Sequence, residues 1–260
     1  MYSPASEGRE SDSAFLSTLA NGLKVFEVLT EQRATLRALT EAVGLPRQTV
    51  YRIVHTLEVL GWVERRASDD TYAPTVRMWA IGARSHGATE LRVQWANLVS
   101  RLAEKIGETV HLAVYDQGCS VYIDKRDGWH PIGSYTKLGG RSPAHCVATG
   151  KALLAHQPPW VPEQLLNAGL RHYTDTTITE PAALQAELEG VRRQGFAMNN
   201  GEYRAEVGGV AVPIRSPLGD VVAALGFSGP VDRIQDRKDE LVTILLNAVS
   251  GIPAQPPTES

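Results

Sequence analysis

The sequence predicts a two-domain chain. An N-terminal winged helix-turn-helix, mostly α with a β wing, precedes a C-terminal α+β domain on a mainly antiparallel six-stranded sheet. Three observations carry this. Residues 35–63, TLRALTEAVGLPRQTVYRIVHTLEVLGWV, read as two short helices joined by a tight turn, then a step into a strand. Past residue 107 the apolar period changes from helical to alternating, with hairpin signals. The chain has 260 residues, 43% of them hydrophobic, which is enough for two cores.

In order, residues 1–14 form a polar tail that is expected to be disordered. A first helix is expected over 15–31, with Leu16, Leu19, Leu23, Val25, Phe26 and Leu29 turned inward. Leu36, Leu39 and Val43 mark a second helix, and Gly44 stops it. Pro46 suits the first turn of the third helix, where its missing amide costs nothing. That helix turns Val50, Ile53, Val54, Leu57 and Leu60 inward and ends at Gly61. Trp62 to Arg65 opens a strand, and Ser68-Asp69-Asp70 makes the turn before Tyr72. The domain so drawn covers 15–74.

The outer face of the third helix carries Arg47, Gln48, Tyr51, Arg52 and His55, with no acid until Glu58. A packed back and a cationic, hydrogen-bonding front suit insertion into a DNA major groove. Arg47, Gln48, Thr49 and Arg52 are the candidates for base edges. Tyr51, His55 and the wing residues Arg65 and Arg66 are the candidates for phosphates. The competing reading is a solvated face on an ordinary helical domain, or a winged helix used only for protein contacts.

A linker helix is expected over 75–89, broken near Gly82 and Ser85-His86-Gly87, before a second helix opens the next domain, 90–250. The linker's aliphatic residues serve either dimerisation or packing within one chain. Val110 to Tyr115, Asp116 to Cys119 and Val121 to Ile123 form a hairpin pattern. A third strand is expected at 131–135. Arg141-Ser142-Pro143 then opens a helix running to about residue 156, with Ser142 as its cap. A helix over 181–194 follows, capped by Thr179, with the stripe Leu184, Leu188 and Val191 and a stop at Gly195. Strands at 196–199, 207–214 and 221–227 complete the sheet. A single helix over 231–249 and a tail, 251–260, close the chain.

Composition excludes several classes. The formal net charge of −3 and pI near 6.2 rule out a protein that holds nucleic acid by bulk charge. Two cysteines are too few for a disulfide scaffold and lack metal-site spacing. No run of 18 apolar residues suggests a membrane span, and the amino terminus is unlike a signal peptide. A cytoplasmic protein without cofactor or metal is expected. Gly150-Lys151 fails as a phosphate loop, since His145 stands where the first Gly must be and Ala152 where Ser or Thr must be.

LANGLKVFEVLT and LTEAVGLPRQTVYRIVHTLEVLGWVER resemble the N-terminal domain of the IclR family of bacterial transcriptional regulators. GGRSPAHCVATGKALLAH, TITEPAALQAELEGVRRQGFAMNNGEYRAEVGGVAVPI and VVAALGFSGP resemble its C-terminal half. The likeness covers about residues 15 to 250. It implies a GAF-like, profilin-like effector domain, dimers or tetramers on pseudo-palindromic double-stranded operator DNA, and a small organic or aromatic acid as effector.

The resemblance also implies where an effector would sit. Ala148 and Thr149 match positions whose backbone approaches the ligand, although the helix drawn from Ser142 puts them beyond its first turn. Pro131 and Ser134 lie on the strand before. Asn199, Val207, Gly209, Gly226 and Ser228 face them from the sheet. Asn199 stands where Asp is common in the family, Gly209 where Cys is common, and Gly226 where Ser often lies. The glycines imply either a roomier, less polar pocket for a bulkier ligand or tight strand packing. A second function class, a GAF-like thiol redox sensor or enzyme, would rest on Cys119 and Cys146.

Overall fold

Thr35 and Gly44 bracket the helix from which the N-terminal unit is built. In the computed structural model, which describes residues 14–84, 87–130 and 136–250, the Thr35 hydroxyl accepts a hydrogen bond from the Ala38 amide, and Gly44 takes φ +67°. Between them runs α2, Leu36–Val43. The first helix, α1, spans Ser17–Glu31. Its expected stripe splits in two: Val25 and Leu29 are buried, whereas Leu16, Leu19 and Leu23 are exposed. The small core of this unit ends before those three are reached.

α3 covers Arg47–Val59, with Pro46 at its cap rather than inside its first turn. Val50, Ile53 and Val54 are buried. Leu60, expected inside, is exposed, because the helix has ended and the residue serves as its C-cap. The short strand β1, Ala34–Thr35, pairs with β3, Thr71–Pro74, which in turn pairs with β2, Val63–Arg66. A two-residue strand is too short to show alternation, and β1 was not foreseen. α4, Val76–Gly82, follows, with its first amides served by Thr75, and Arg77 donates back to the Leu60 carbonyl. α4 ends at Gly82, where the break in the 75–89 linker was expected.

The chain divides into two compact units, with residues 14–84 in one and 87–250 in the other. In the second, α5 spans Ala88–Ile106 and ends at Gly107 with φ +82°. β4, Thr109–Asp116, and β5, Cys119–Arg126, form the foreseen hairpin. Its two-residue turn, Gln117-Gly118, has positive φ at both positions, the twist that such a connection requires. β7, Ala197–Asn200, β8, Val207–Arg215, and β9, Val221–Pro230, also fall where expected.

Arg141–Pro143 is not the start of a helix. It is a strand, β6, paired with β5. The Ser142 hydroxyl caps nothing there and accepts from the Tyr122 hydroxyl at 3.2 Å. One tight turn at Ala144–Cys146 follows, and helix α6, Ala148–Leu154, begins only after it. The strand expected at 131–135 lies outside the described residues. The sheet order is β6-β5-β4-β9-β8-β7, antiparallel throughout.

An unforeseen helix, α7, spans Trp160–Asn167. α8, Pro181–Gln194, is capped by Glu180 without a side-chain bond, not by Thr179. The final helix is two, α9 at Val231–Asp236 and α10 at Lys238–Ser250, broken at Arg237. One sheet face packs Val110, Leu112, Val210, Val212 and Leu225 against Trp95, Val99 and Leu102 of α5 and Leu241 and Leu245 of α10. The other face packs Ala113, Ala211 and Ala224 against α6, α7 and α8. Past β5, the Trp129 ring lies against Gly107, where a Cβ would fall 2.6 Å from it. Its indole N–H donates to the Glu104 carbonyl at 3.1 Å.

Candidate functional site

Helical spacing separates the two faces of α3. With Val50, Ile53 and Val54 inward, Arg47, Gln48, Tyr51, Arg52 and His55 are exposed and Thr49 is half-buried. The Tyr51 and His55 rings, one turn apart, stack at 5.9 Å with planes 3° apart. Among the described residues neither Arg47 nor Arg52 has a carboxylate within ion-pair distance. The wing differs. Arg65 pairs with Asp70 at 2.8 Å and Arg66 with Asp69 at 3.6 Å. The Asp69 carboxyl is held below its ordinary range, chiefly by the Thr71 hydroxyl.

In the second unit, strand register places candidates side by side. Asn199 on β7 lies opposite Gly209 on β8, Gly209 opposite Ser228 on β9, and Ser228 opposite Thr109 on β4. The adjoining row runs Ala197, Ala211, Gly226 and His111. Val207 stands two pairs beyond the first row, opposite Pro230, and is half-buried. Ala148 and Thr149 open α6 rather than lying inside it, so their amides belong to its first turn. Pro131 and Ser134 fall outside the described residues.

The glycines do not make room. A Cβ on Gly226 would fall 2.7 Å from the Val210 carbonyl oxygen and 3.2 Å from the Thr149 methyl. One on Gly209 would fall 3.2 Å from the Phe227 oxygen and 3.6 Å from the Ala148 Cβ. Of the two readings the glycines leave open, a roomier pocket or tight packing, the contacts fit the second. The space is occupied by the start of α6, which these glycines let approach the sheet. Asn199 spends its side chain on the β7–β8 connection, donating to Val207 O at 3.2 Å and accepting from the Glu202 amide at 2.9 Å.

Several polar groups here were not singled out from sequence. The Ser120 and Thr149 hydroxyls are bonded at 2.8 Å. The His111 and Tyr122 rings lie 4.6 Å apart. His111 Nδ1 is 3.4 Å from the Ser228 hydroxyl, and its Nε2 meets the Thr136 hydroxyl. Burial, reinforced by the charge of Lys125, pushes the His111 imidazole down to about 3, so it is neutral near pH 7. The available signal was period two: Thr109 and His111 alternate with Val110 and Leu112, and Ser120 and Tyr122 with Val121.

Lys151 is buried with Nζ 2.8 Å from both Glu187 and Glu202. Burial raises the Glu202 carboxyl. Gly150 before it lets α6 meet the preceding turn, since a Cβ would fall 2.5 Å from the Ala144 Cα. Cys119 and Cys146 are both buried, and burial pushes both thiols up, away from the reactive thiolate. That environment works against the thiolate on which a thiol sensor or enzyme would depend. Among the described residues no helix is long and apolar enough to cross a membrane.

A winged helix-turn-helix with an unneutralised outer face, carried on one chain with this α+β unit, defines a class: the helix-turn-helix transcriptional regulator with a C-terminal effector domain. Residues 18–67 match the IclR helix-turn-helix domain, and residues 85–254 match the family described as bacterial transcriptional regulator IclR C-terminal. The chain belongs to the IclR family of bacterial transcriptional regulators. It is 32% identical over 245 residues to the HTH-type transcriptional regulator KdgR of Escherichia coli K12, covering 92% of this chain and 93% of that one. It is 29% identical over 268 residues to the transcriptional repressor IclR of the same organism, covering 96% and 95%. Among solved structures, an IclR homolog from Microbacterium hydrocarbonoxydans complexed with 4-hydroxybenzoate matches with TM-score 0.79 and 29% identity, covering 90% of this chain and 97% of that one.

Proposed function

We propose that this regulator binds pseudo-palindromic operator DNA in the cytoplasm as a dimer or tetramer, and that a small organic or aromatic acid in the C-terminal domain sets its affinity or activity. The observation that carries the proposal is the outer face of α3, where Arg47 and Arg52 stand exposed with no acidic partner among the described residues. Arg47, Gln48, Thr49 and Arg52 read base edges, and Tyr51, His55, Arg65 and Arg66 meet phosphates. With a net charge of −3, one copy binds poorly, and affinity depends on a second reading helix at the right spacing. The exposed apolar residues Leu16 at the cap of α1, Leu19 and Leu23 within it, and Val76 and Trp79 of α4 are the surface proposed for that pairing.

The effector site proposed is the stretch around Asn199, Val207, Gly209, Gly226 and Ser228 together with Ala148, Thr149 and the segment holding Pro131 and Ser134. The 4-hydroxybenzoate complex of the Microbacterium homolog supports an aromatic acid as one member of the ligand class. An effector acts only by binding the DNA-competent and DNA-incompetent states with different affinity. The test is a gel shift with the DNA upstream of the chain's own gene, repeated with organic and aromatic acids that include 4-hydroxybenzoate. A retarded band that one acid strengthens or abolishes is expected. Failure to retard that DNA at any protein concentration would sink the reading.

A further inference from the structure

We propose that Asp69 and Asp70 act as an electrostatic brake on the wing, restraining Arg65 and Arg66 so that DNA binding depends on the reading helix α3. This rests on the DNA-binding reading above. The two cationic parts of the N-terminal unit are built in opposite ways. Arg47 and Arg52 on α3 face solvent without an acid within ion-pair distance among the described residues. Each wing arginine has its own carboxylate, Asp70 for Arg65 at 2.8 Å and Asp69 for Arg66 at 3.6 Å. Glu64 is taken up by Arg33 at 3.3 Å. From Val63 to Pro74 the hairpin therefore holds two arginines against three carboxylates and carries net negative charge.

A carboxylate beside a guanidinium is an internal stand-in for phosphate. To reach DNA, each arginine must exchange that partner for a phosphate oxygen, and the aspartate left behind repels the same backbone. Backbone contacts supply nearly all non-specific affinity, while base-edge contacts supply discrimination. A brake on the wing lowers the first and spares the second, so the ratio of specific to non-specific binding rises. The exposed ion pairs themselves are worth little as stability.

The backbone allows a clean test. Asp69 also accepts from the Thr71 amide at 3.2 Å and the Thr71 hydroxyl at 2.7 Å, bonds that an asparagine oxygen can keep. Asp70 sits at φ +54°, a left-handed conformation that Asn tolerates. The variant D69N/D70N thus removes charge and preserves the turn, which an unchanged melting temperature will show. Binding is measured by fluorescence anisotropy on a short random-sequence duplex and on the DNA upstream of the gene, across a salt series.

The double variant is expected to bind the random duplex several-fold more tightly. The slope of log affinity against log salt should steepen by about 1 for each arginine released. D70N alone should give about half that change. R65Q/R66Q should weaken the native chain's binding modestly and cancel the gain in the D69N/D70N background. Unchanged affinity and slope in D69N/D70N, or a gain that survives R65Q/R66Q, overturns the brake. If the native chain and every variant leave both DNAs unbound, the DNA-binding reading itself fails.

Discussion

Arg52 is the residue on which the DNA reading is most exposed to test. It lies one turn beyond Gln48 on the outer face of α3, opposite Ile53 and Val54. If it reads a guanine, Arg52→Ala should cost roughly 1–3 kcal/mol of operator affinity while leaving random-sequence binding nearly unchanged; anisotropy titrations on both DNAs decide it. His111 makes a prediction about pH. Its folded-state value of about 3 lies below the ordinary 6.5, so protonation favours the unfolded chain. Its contribution to stability is complete above about 6.5 and is lost as pH falls toward 3. Burial lowers His145 as well, with the same sign. Urea midpoints measured between pH 7 and pH 5 should fall less steeply in His111→Gln than in the native chain. Side chains on α3 could be assigned from sequence because helix period alone sorts them. The fate of Gly209 and Gly226 could not. A glycine is compatible with an open space and with a close neighbour, and only the position of α6 distinguishes the two.

At the scale of elements, α6 shows where local rules fail. Ser142-Pro143 has the composition of a helix start, but cross-strand pairing with β5 holds it extended, and the helix waits until Ala148. A three-residue strand and one tight turn carry no periodicity of their own. By contrast Thr35, Gly44 and Gly195 act through their own backbone neighbours, and each does what its residue type implies. α6 is secured by Lys151, whose ammonium bridges Glu187 on α8 and Glu202 in the β7–β8 connection. Lys151→Met should leave the buried Glu202 carboxylate without its cation and cost roughly 3–5 kcal/mol, as broken buried pairs do. Adding Glu202→Leu should return much of that loss, because an apolar replacement for the whole pair removes the stranded charge. Chemical denaturation of the two variants measures both steps.

For the whole molecule, the first apolar stripe is the informative departure. Leu16, Leu19 and Leu23 continue the helical pattern of Val25 and Leu29, so sequence reasoning puts all five inside, yet the first three face solvent in the single chain. Periodicity reports which face is apolar, not what covers it. Together with Trp79 on α4, 71% exposed, these are the side chains proposed to pair two copies. Leu19→Asp with Trp79→Asp should shift the protein toward monomer in sedimentation velocity and weaken operator binding, while circular dichroism stays unchanged. A variant that sediments and binds as the native chain does would remove α1 and α4 from the proposed pairing.

Trp129 gives the molecule an optical property. Its ring stands against Gly107 with its indole N–H fixed on Glu104, yet 67% of the residue is exposed, whereas Trp95 has no exposure. Under ultraviolet excitation Trp129 should emit at the red edge and be quenched by iodide, while Trp95 emits toward the blue and is spared. Trp79 and Trp160 are exposed too, so the difference between the native chain and Trp129→Phe isolates the signal. That signal originates just ahead of Pro131 in the chain, so a change in it on adding an acid is a label-free test of the effector site proposed there, before any operator is in hand.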